Sequence, residues 1–245
     1  MQTRIDDPMK EAVAESAVGY FSDNVEQFRS LYGTSQGFHE RLEIWGRLLR
    51  RYSRPGGAAI DMGCGPGVFS FFLADLGVNV VGIDGALDMI QACEAQRAKR
   101  GLTNVRFIHG TLPDIDETTL EHADVLISSS VIEYIEELDE TLALFARLVK
   151  SRGTLIISMP NVHSLSRSYQ RLSNWISPRS DVYRYIRHFS SPRQLERRLA
   201  PYGMKLREAL YYTHITRLAR AMRTLRLPRR LTEDLFVAVF EKTSV

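Results

Sequence analysis

The sequence predicts an α/β fold with a mostly parallel sheet, and three observations support this class. A short apolar run leads into Asp61 and a glycine-rich turn, after which residues 68–76 have the composition of a helix. Short apolar runs then alternate with helical segments as far as residue 159. These runs are continuously apolar, which is typical of strands covered by helices on both sheet faces.

The individual elements follow from apolar spacing and from turn residues. An amphipathic helix is predicted over residues 41–52, and the Pro-Gly-Gly sequence at 55–57 separates it from the first strand, which begins at Ala58. Further strands are predicted at 78–83, 105–109, 123–128, 154–159, 205–212 and 235–241. Further helices are predicted at 87–100, 138–150 and 192–202, the last with Ser190 or Ser191 as its cap.

Composition indicates an ordinary globular chain. Its 245 residues are 44% hydrophobic and 25% charged, enough for one domain with elaborations. No apolar run reaches the roughly 20 residues that span a bilayer, and residues 1–16 lack the apolar core of a secretory signal. The two cysteines are too few for a disulfide framework. A cytoplasmic location is expected.

Charge is distributed unevenly along the chain. Residues 161–245 contain 17 Lys and Arg against 6 Asp and Glu, a balance of +11, whereas residues 1–160 contain 15 against 23, a balance of −8. The last third is therefore a basic segment attached to an acidic body. Such a segment favours an anionic substrate, a carrier protein, a membrane surface or RNA as partner.

The glycine turn distinguishes between cofactors. Its glycines, Gly63, Gly65 and Gly67, have G-x-G-x-G spacing, and Val68 stands where a dinucleotide motif has its third glycine. Asp61 precedes the turn, and a carboxylate there would repel a pyrophosphate. It suits a cofactor that carries positive charge, such as S-adenosylmethionine (SAM), which has an ammonium, a sulfonium and no phosphate.

With Asp61, three glycines and Asp84 at the end of the second strand, the chain resembles class I SAM-dependent methyltransferases over roughly residues 55–160. It is nearest in pattern to ubiquinone-type and natural-product O-methyltransferases. The resemblance implies a Rossmann-like seven-stranded sheet of order 3-2-1-4-5-7-6. It also implies an N-terminal helical lid over 1–53 and a SAM-binding domain over 54–245, with 161–190 and 213–231 as substrate-side insertions.

The resemblance also implies which residues hold SAM. Asp84 takes the ribose hydroxyls, and the glycine turn lies against the amino-acid part of SAM. Thr111 departs from the acidic residue that many relatives place beside adenine. Arg41 is the candidate clamp for the SAM carboxylate, unless it is a solvated residue on a helix face, and Tyr20 or Tyr32 closes the site. The remaining implied contacts are Asp61, Gly63, Gly65, Gly67, Gly85, Ala86, Met89, Gly110, Ser128 and Ser129.

For the acceptor, the resemblance favours a hydroxyl of an aromatic, quinone-like or other secondary metabolite. A weakly nucleophilic hydroxyl needs a general base, and His163 and His188 are the candidates. Relatives carry a metal site after the fourth strand. Only Glu133 remains of its three ligands here, so no metal is predicted; alternatively, Ser130 and Glu133 cap the following helix.

Two other functions remain open. A tRNA-modifying methyltransferase of the carboxymethyl-uridine type is favoured by residues 31–37 and by the basic last third. A SAM-binding scaffold without catalysis is the second alternative. Arg217, Arg220 and Arg223 lie three residues apart in an amphipathic pattern, which is either a solvated face or a contact with a membrane or an anionic carrier.

Overall fold

The computed structural model describes residues 18–19, 36–165, 185–212 and 227–244. In chain order, the elements of these ranges are α1 (Gln36–Tyr52), β1 (Ala58–Met62), α2 (Val68–Asp75), β2 (Asn79–Asp84), α3 (Leu87–Arg100), β3 (Val105–His109), β4 (Ala123–Ser129), α4 (Leu138–Leu148), β5 (Val149–Pro160), α5 (Pro192–Leu199), β6 (Met204–Tyr212), α6 (Arg229–Thr232) and β7 (Leu235–Lys242). Short 3₁₀ turns occupy Glu117–Thr119 and Ala200–Tyr202.

The seven strands that the described ranges contain form one sheet of order β3-β2-β1-β4-β5-β7-β6, which confirms the predicted topology. Strands β1 to β5 are parallel, and β7 is antiparallel to both β5 and β6. Because β6 thus runs parallel to β5, the ends of β1 to β6 meet at one edge, the carboxyl edge. Ligands of open α/β sheets bind at this edge.

The core has two layers, one on each face of the sheet. Helices α1, α2 and α3 pack on one face, where Trp45 stacks on Phe69 with 4.9 Å between ring centroids. Helices α4 and α5 cover the other face together with the opposite side chains of β1 and β4. Both faces of the central strands are therefore buried, which explains their continuous apolar runs.

Most predicted elements agree with the structure to within two residues, but α1, β5 and α5 do not. Helix α1 begins at Gln36, five residues earlier than predicted, and α5 ends at Leu199, after which a 3₁₀ turn continues to Tyr202. Strand β5 begins at Val149, five residues earlier than predicted, and the predicted helix 138–150 ends at Leu148. The first residues of β5 include Arg152 with φ of 61°, and the register of β4 against β5 shifts between Ala123 and Val125. Apolar runs alone therefore do not predict this irregular first part of β5.

Several sequence-based predictions concern residues outside the described ranges. These are the closing tyrosines Tyr20 and Tyr32, most of the insertion at 161–190, and the arginines Arg217, Arg220 and Arg223. The structure therefore leaves the lid over 1–53 and the 213–231 insertion as predictions.

Candidate functional site

The glycine turn is fastened to the end of β2. The backbone N–H groups of Gly63 and Cys64 both donate to the carbonyl of Ile83, at 2.7 and 2.9 Å. The N–H of Gly65 donates to Oδ2 of Asp84 at 2.7 Å. The turn and the β2 end therefore form one rigid unit at the carboxyl edge.

Two glycines of the turn serve different purposes. Gly63 has φ of 73°, and a Cβ there would lie 2.2 Å from Cγ2 of Val131, so packing excludes any larger residue. Gly65 has φ of 50°, and no described atom lies within 4 Å of the position that its Cβ would take. The backbone at Gly65 therefore borders open space that a ligand can approach closely.

Asp61 is a buried carboxyl group at the end of β1. Its Oδ2 accepts a hydrogen bond of 2.6 Å from the hydroxyl of Ser70 on α2. Burial raises the pKa of Asp61 to about 7, although the Ser70 bond and the charge of Arg41 oppose this effect. A positive ligand group beside Asp61 would favour its ionised form.

Asp84 is oriented by backbone donors. Oδ2 accepts from Gly65 and Oδ1 accepts from the N–H of Ala86 at 2.8 Å. Burial raises the pKa of Asp84, and these two bonds oppose the increase. Each carboxylate oxygen can accept more than one hydrogen bond, so both can still receive a ligand hydroxyl.

The predicted adenine contacts gather beyond Asp84. Gly110 donates its N–H to the Asp84 carbonyl at 3.0 Å, and Met89 is buried on α3. Thr111 is exposed, with its hydroxyl 3.9 Å from the position of a Cβ on Gly85. Cγ2 of Val18 lies 3.4 Å from that same position, so the N-terminal segment reaches this side of the site.

Arg41 lies at the end of β4 and is buried, which contradicts the alternative of a solvated helix-face residue. Its Nη2 donates to the carbonyl and the hydroxyl of Ser129, at 3.1 and 2.7 Å. The guanidinium also lies over the ring of Phe69, 5.6 Å from its centroid. Helix α1 therefore delivers a positive charge to the same edge as Asp61.

Ser128 and Ser129 point to opposite faces of β4, because side chains alternate along a strand. Only Ser129 therefore shares a face with Arg41. The Ser128 hydroxyl is buried, and it has no hydrogen-bond partner in the described ranges. Of the two predicted contacts, only Ser129 therefore bonds to Arg41.

The alternative that Ser130 and Glu133 cap α4 is wrong. Helix α4 begins after Glu137, which makes no side-chain cap bond. Ser130 has φ of 59°, and its N–H donates to the hydroxyl of Ser158 at 3.0 Å. Glu133 is buried, and its carbonyl accepts the N–H groups of Arg187 and His188. Both residues instead shape the loop after β4.

The two candidate bases lie beyond β5, but in different settings. His163 is exposed, and its backbone N–H donates to Oδ1 of Asn161. His188 is half-buried, and its Nε2 donates to the carbonyl of Ile135 at 2.8 Å. A carbonyl can only accept, so Nε2 carries a proton and the neutral ring has its lone pair on Nδ1.

Asn161 is a site residue that the sequence did not predict. It is fully buried after β5, and its Nδ2 donates to the carbonyls of Arg230 and Glu233 at 2.8 and 2.9 Å. It also bridges to Ser190, at the far end of the insertion. A polar residue directly after a strand-ending proline was the signal available in the sequence.

The described ranges contain neither a metal-binding cluster nor a membrane-spanning helix. No group of three or more His, Cys, Asp or Glu side chains there could hold a metal ion, and the absence of a metal stays a prediction. No helix described there is both long and apolar enough to cross a membrane.

Comparison with known proteins decides the family. The profile of a family described as "Methyltransferase domain" matches residues 53–197, more than half of the chain. This chain belongs to that methyltransferase family. The predicted class, a class I SAM-dependent methyltransferase, is thereby confirmed as a family assignment, and SAM is the cofactor of that class.

Individual relatives of this methyltransferase are distant. Human mitochondrial ubiquinone biosynthesis O-methyltransferase is 29% identical over 109 residues, which are 44% of this chain and 30% of that protein. A 23S rRNA (uracil(1939)-C(5))-methyltransferase of Shewanella sp. (strain MR-4) is 42% identical over 59 residues, 24% of this chain and 13% of that enzyme. The chain spans between 13% and 63% of the length of the first curated relatives it matches.

Solved structures share the fold. Magnesium protoporphyrin IX methyltransferase of Synechocystis PCC 6803, with bound SAH, superposes with a TM-score of 0.69 at 18% identity. The superposition covers 91% of this chain and 96% of that structure. At this identity the likeness establishes the fold of this methyltransferase and leaves its acceptor open.

Proposed function

We propose that this methyltransferase binds SAM at the carboxyl edge of β1, β2 and β4 and transfers its methyl group to a small-molecule acceptor. The acceptor group is a hydroxyl of an aromatic, quinone-like or other secondary metabolite. The observation that carries the proposal is the pairing of a buried carboxyl group, Asp61, with the open backbone at Gly65.

The described residues fit SAM. The open space at Gly65 admits a ligand to the turn, and Asp61 supplies a carboxylate for the ligand ammonium. Asp84 has acceptor capacity for two ribose hydroxyls. Arg41 brings a guanidinium to the opposite side of the methionine part, where it would hold the carboxylate. The ammonium and the carboxylate of SAM thus each have a group of opposite charge at the edge.

When bound, SAM supplies an electrophilic methyl group on a positively charged sulfur. The protein must then align the acceptor, exclude water and remove the hydroxyl proton. We assign proton removal to Nδ1 of His188, because the bond from Nε2 to Ile135 fixes the tautomer and holds the ring. The exposed His163 is the second candidate for this role.

RNA methylation is the second candidate function. The specific observation in its favour is the 42% identity over 59 residues with the rRNA methyltransferase. That match covers 13% of the rRNA enzyme, and the basic residues at 217–223 lie outside the described ranges. A small molecule is favoured because the ubiquinone O-methyltransferase matches extend over 42% to 61% of this chain.

A methyl-transfer assay separates the candidates. The purified chain is incubated with methyl-tritiated SAM and either catechol and 3,4-dihydroxybenzoate, or total tRNA and rRNA. Label in the phenolic products supports the proposal, whereas label in RNA alone overturns it in favour of the second candidate. Binding of SAH without transfer to any acceptor points to a scaffold.

The same assay tests the base. His188→Gln is expected to lower kcat about 100-fold, because general-base catalysis contributes roughly 10² to 10⁴. His163→Gln is the matched control and should change kcat less than threefold. The reverse ranking of the two variants would transfer the role to His163.

A further inference from the structure

A second set of charged groups lies at the carboxyl edge, away from the cofactor residues. Tyr211 is the second-last residue of β6 and pairs with Phe236 of β7, which in turn pairs with Met159 near the end of β5. Its ring packs at a tilt against Phe236, with centroids 6.3 Å apart. Tyr211 therefore lies level with the β5 end, in the half of the edge formed by β5, β7 and β6.

Two arginine-bearing segments are fastened to the same place. The carbonyl of Arg230 accepts from Nδ2 of Asn161 at 2.8 Å. Arg193 follows Pro192 at the start of α5, three residues after Ser190, whose N–H donates to the Pro160 carbonyl at 3.1 Å. Both segments are therefore tied to residues 160–161, which places the backbones of both arginines near the end of β5.

The two guanidinium groups act on the same phenol. Burial raises the pKa of Tyr211, and the positive charges of Arg230 and Arg193 oppose this increase. Helices α5 and α6, which carry the two arginines, both pack on β6, the strand that carries Tyr211. Tyr211 thus marks the point on which both charges converge.

Neither arginine is neutralised by the described part of the chain. No carboxylate in those ranges forms a salt bridge with Arg193 or Arg230, and both side chains are exposed. The neighbouring Arg229, in contrast, pairs with Glu40 at 3.2 Å and with Glu233 at 3.6 Å. The two arginines at Tyr211 therefore retain their charge and their N–H donors for a ligand.

We propose that Arg193, Arg230 and Tyr211 form an anion subsite that holds a carboxylate or phosphate group of the methyl acceptor. This inference rests on the proposed function, since it assigns the ligand of the acceptor half. Two like charges beside one phenol repel each other, and an anion between them removes the repulsion. Guanidinium groups bind both oxyanions through paired N–H donors, and the phenol supplies a third donor.

Position separates this subsite from the SAM contacts. Asp61, Gly65 and Asp84 lie on β1 and β2, on the other side of β4 and β5 in the sheet order. The SAM carboxylate already has Arg41 as its proposed partner. Arg193 and Arg230 belong to the basic segment of residues 161–245. The subsite thus gives part of the positive charge of this segment a specific role, which is to select an anionic acceptor.

Calorimetry on the full chain with saturating SAH tests the subsite. The probes are inorganic phosphate and benzoate, titrated at low ionic strength. We expect the double variant R193Q/R230Q to weaken binding of at least one probe tenfold or more, and Tyr211→Phe to weaken it severalfold. The better probe identifies phosphate or carboxylate as the acceptor's group.

A matched control removes the same charge elsewhere. R47Q/R197Q replaces two exposed arginines, one on α1 and one at the far end of α5, and should bind both probes like the wild type. Unchanged affinity in R193Q/R230Q, or equal weakening in the control, overturns the subsite. Unfolding temperature shows whether each variant folds.

Two further outcomes are decisive. If SAH does not bind while R193Q/R230Q still loses the probe, the cofactor assignment fails and the anion subsite stands. If a single-stranded RNA oligonucleotide binds at micromolar Kd and R193Q/R230Q releases it, the ligand is a nucleic-acid backbone and the small-molecule assignment is wrong.

Discussion

Asp61 shows how a single residue links stability to cofactor binding. A carboxyl group with a pKa of about 7 is largely protonated at mildly acidic pH, so ionising it in the free protein costs stability. A bound ammonium group would pair with the ionised form and recover that cost. The ionised form of Asp61 is therefore unfavourable in the free protein and becomes favourable when a positive ligand group binds beside it.

The first prediction concerns pH and Asp61→Asn. The folded pKa of about 7 lies above the unfolded value of 3.8, so the stability that Asp61 contributes is full below pH 3.8 and is lost as pH rises through 7. Between pH 5 and pH 7 the wild type should lose about 2 kcal/mol from this residue. Asp61→Asn should lose much less. Urea unfolding at pH 5, 6, 7 and 8 measures both, and parallel pH dependences would contradict the raised pKa.

The second prediction concerns the clamp. Arg41→Gln should raise the Kd for SAM between 10-fold and 100-fold, because a hydrogen bond to a charged group contributes about 1.5–3 kcal/mol. Arg41→Lys should bind SAM nearly as weakly as Arg41→Gln, because the lysine ammonium lacks the paired donors of the guanidinium. Calorimetry with SAM provides the measurement. The control is Arg47→Gln, at an exposed position on the same helix. An equal loss of SAM affinity in this control would mean that net charge, and not a direct contact of Arg41, explains the effect.

At the scale of elements, the glycine turn owes its conformation to contacts on both of its sides. Strand β2 receives two of its N–H groups, and the loop after β4 fills the space beside Gly63. Only Gly65 faces open space. The same turn thus combines one glycine that packing requires with one that ligand approach requires.

The third prediction separates these two glycines. Gly63→Ala should lower the free energy of unfolding by about 2–3 kcal/mol, because its Cβ would collide with Val131 at a positive φ. Gly65→Ala has only the conformational cost of about 1 kcal/mol, but its methyl group enters the ligand space and should raise the Kd for SAH at least tenfold. Denaturant unfolding and SAH titration on both variants check this. Equal stability losses would refute the distinction.

The elements could be predicted well because both sheet faces are covered, which leaves long apolar signals in the sequence. Helix α3 and strand β3 have the predicted bounds, and Ser191 caps α5 as one of the two expected residues. The start of β5 was missed because its first residues are exposed and irregular. The burial of Arg41 could not be derived from helical spacing, since it depends on how α1 meets the end of β4.

At the scale of the whole molecule, the residues proposed to hold the cofactor and the acceptor lie at different parts of the carboxyl edge. The half at β1 and β2 carries the buried acids Asp61 and Asp84, which suit a positive cofactor. The half at β5, β7 and β6 carries Arg193 and Arg230, which suit an anionic acceptor. Local spacing did not predict this division in space, because residues from distant segments form each half.

Asn161 holds the acceptor half together, since three separate segments meet at its side chain and backbone. Its Nδ2 binds the Arg230 and Glu233 carbonyls, its N–H donates to Asp234, and it bridges to Ser190. Asn104 makes similar contacts at the amino edge of the sheet, directly before β3, where its Nδ2 donates to the carbonyls of Ala74 and Val78 at 2.9 and 3.0 Å. It therefore serves as a control for Asn161 that lies away from both proposed ligand sites.

The fourth prediction follows from this comparison. Asn161→Ala leaves two buried carbonyls without donors and should cost about 2–4 kcal/mol of stability, and Asn104→Ala should cost a similar amount. Their effects on ligands should differ, because Asn161 fixes the arginine segments. Asn161→Ala should weaken phosphate or benzoate binding at least fivefold with an unchanged Kd for SAH, whereas Asn104→Ala should leave the anion probe unaffected. Calorimetry below the unfolding temperature of each variant measures both ligands. If the two variants lose the anion probe equally, general loosening explains the effect and Asn161 has no specific role in the acceptor half.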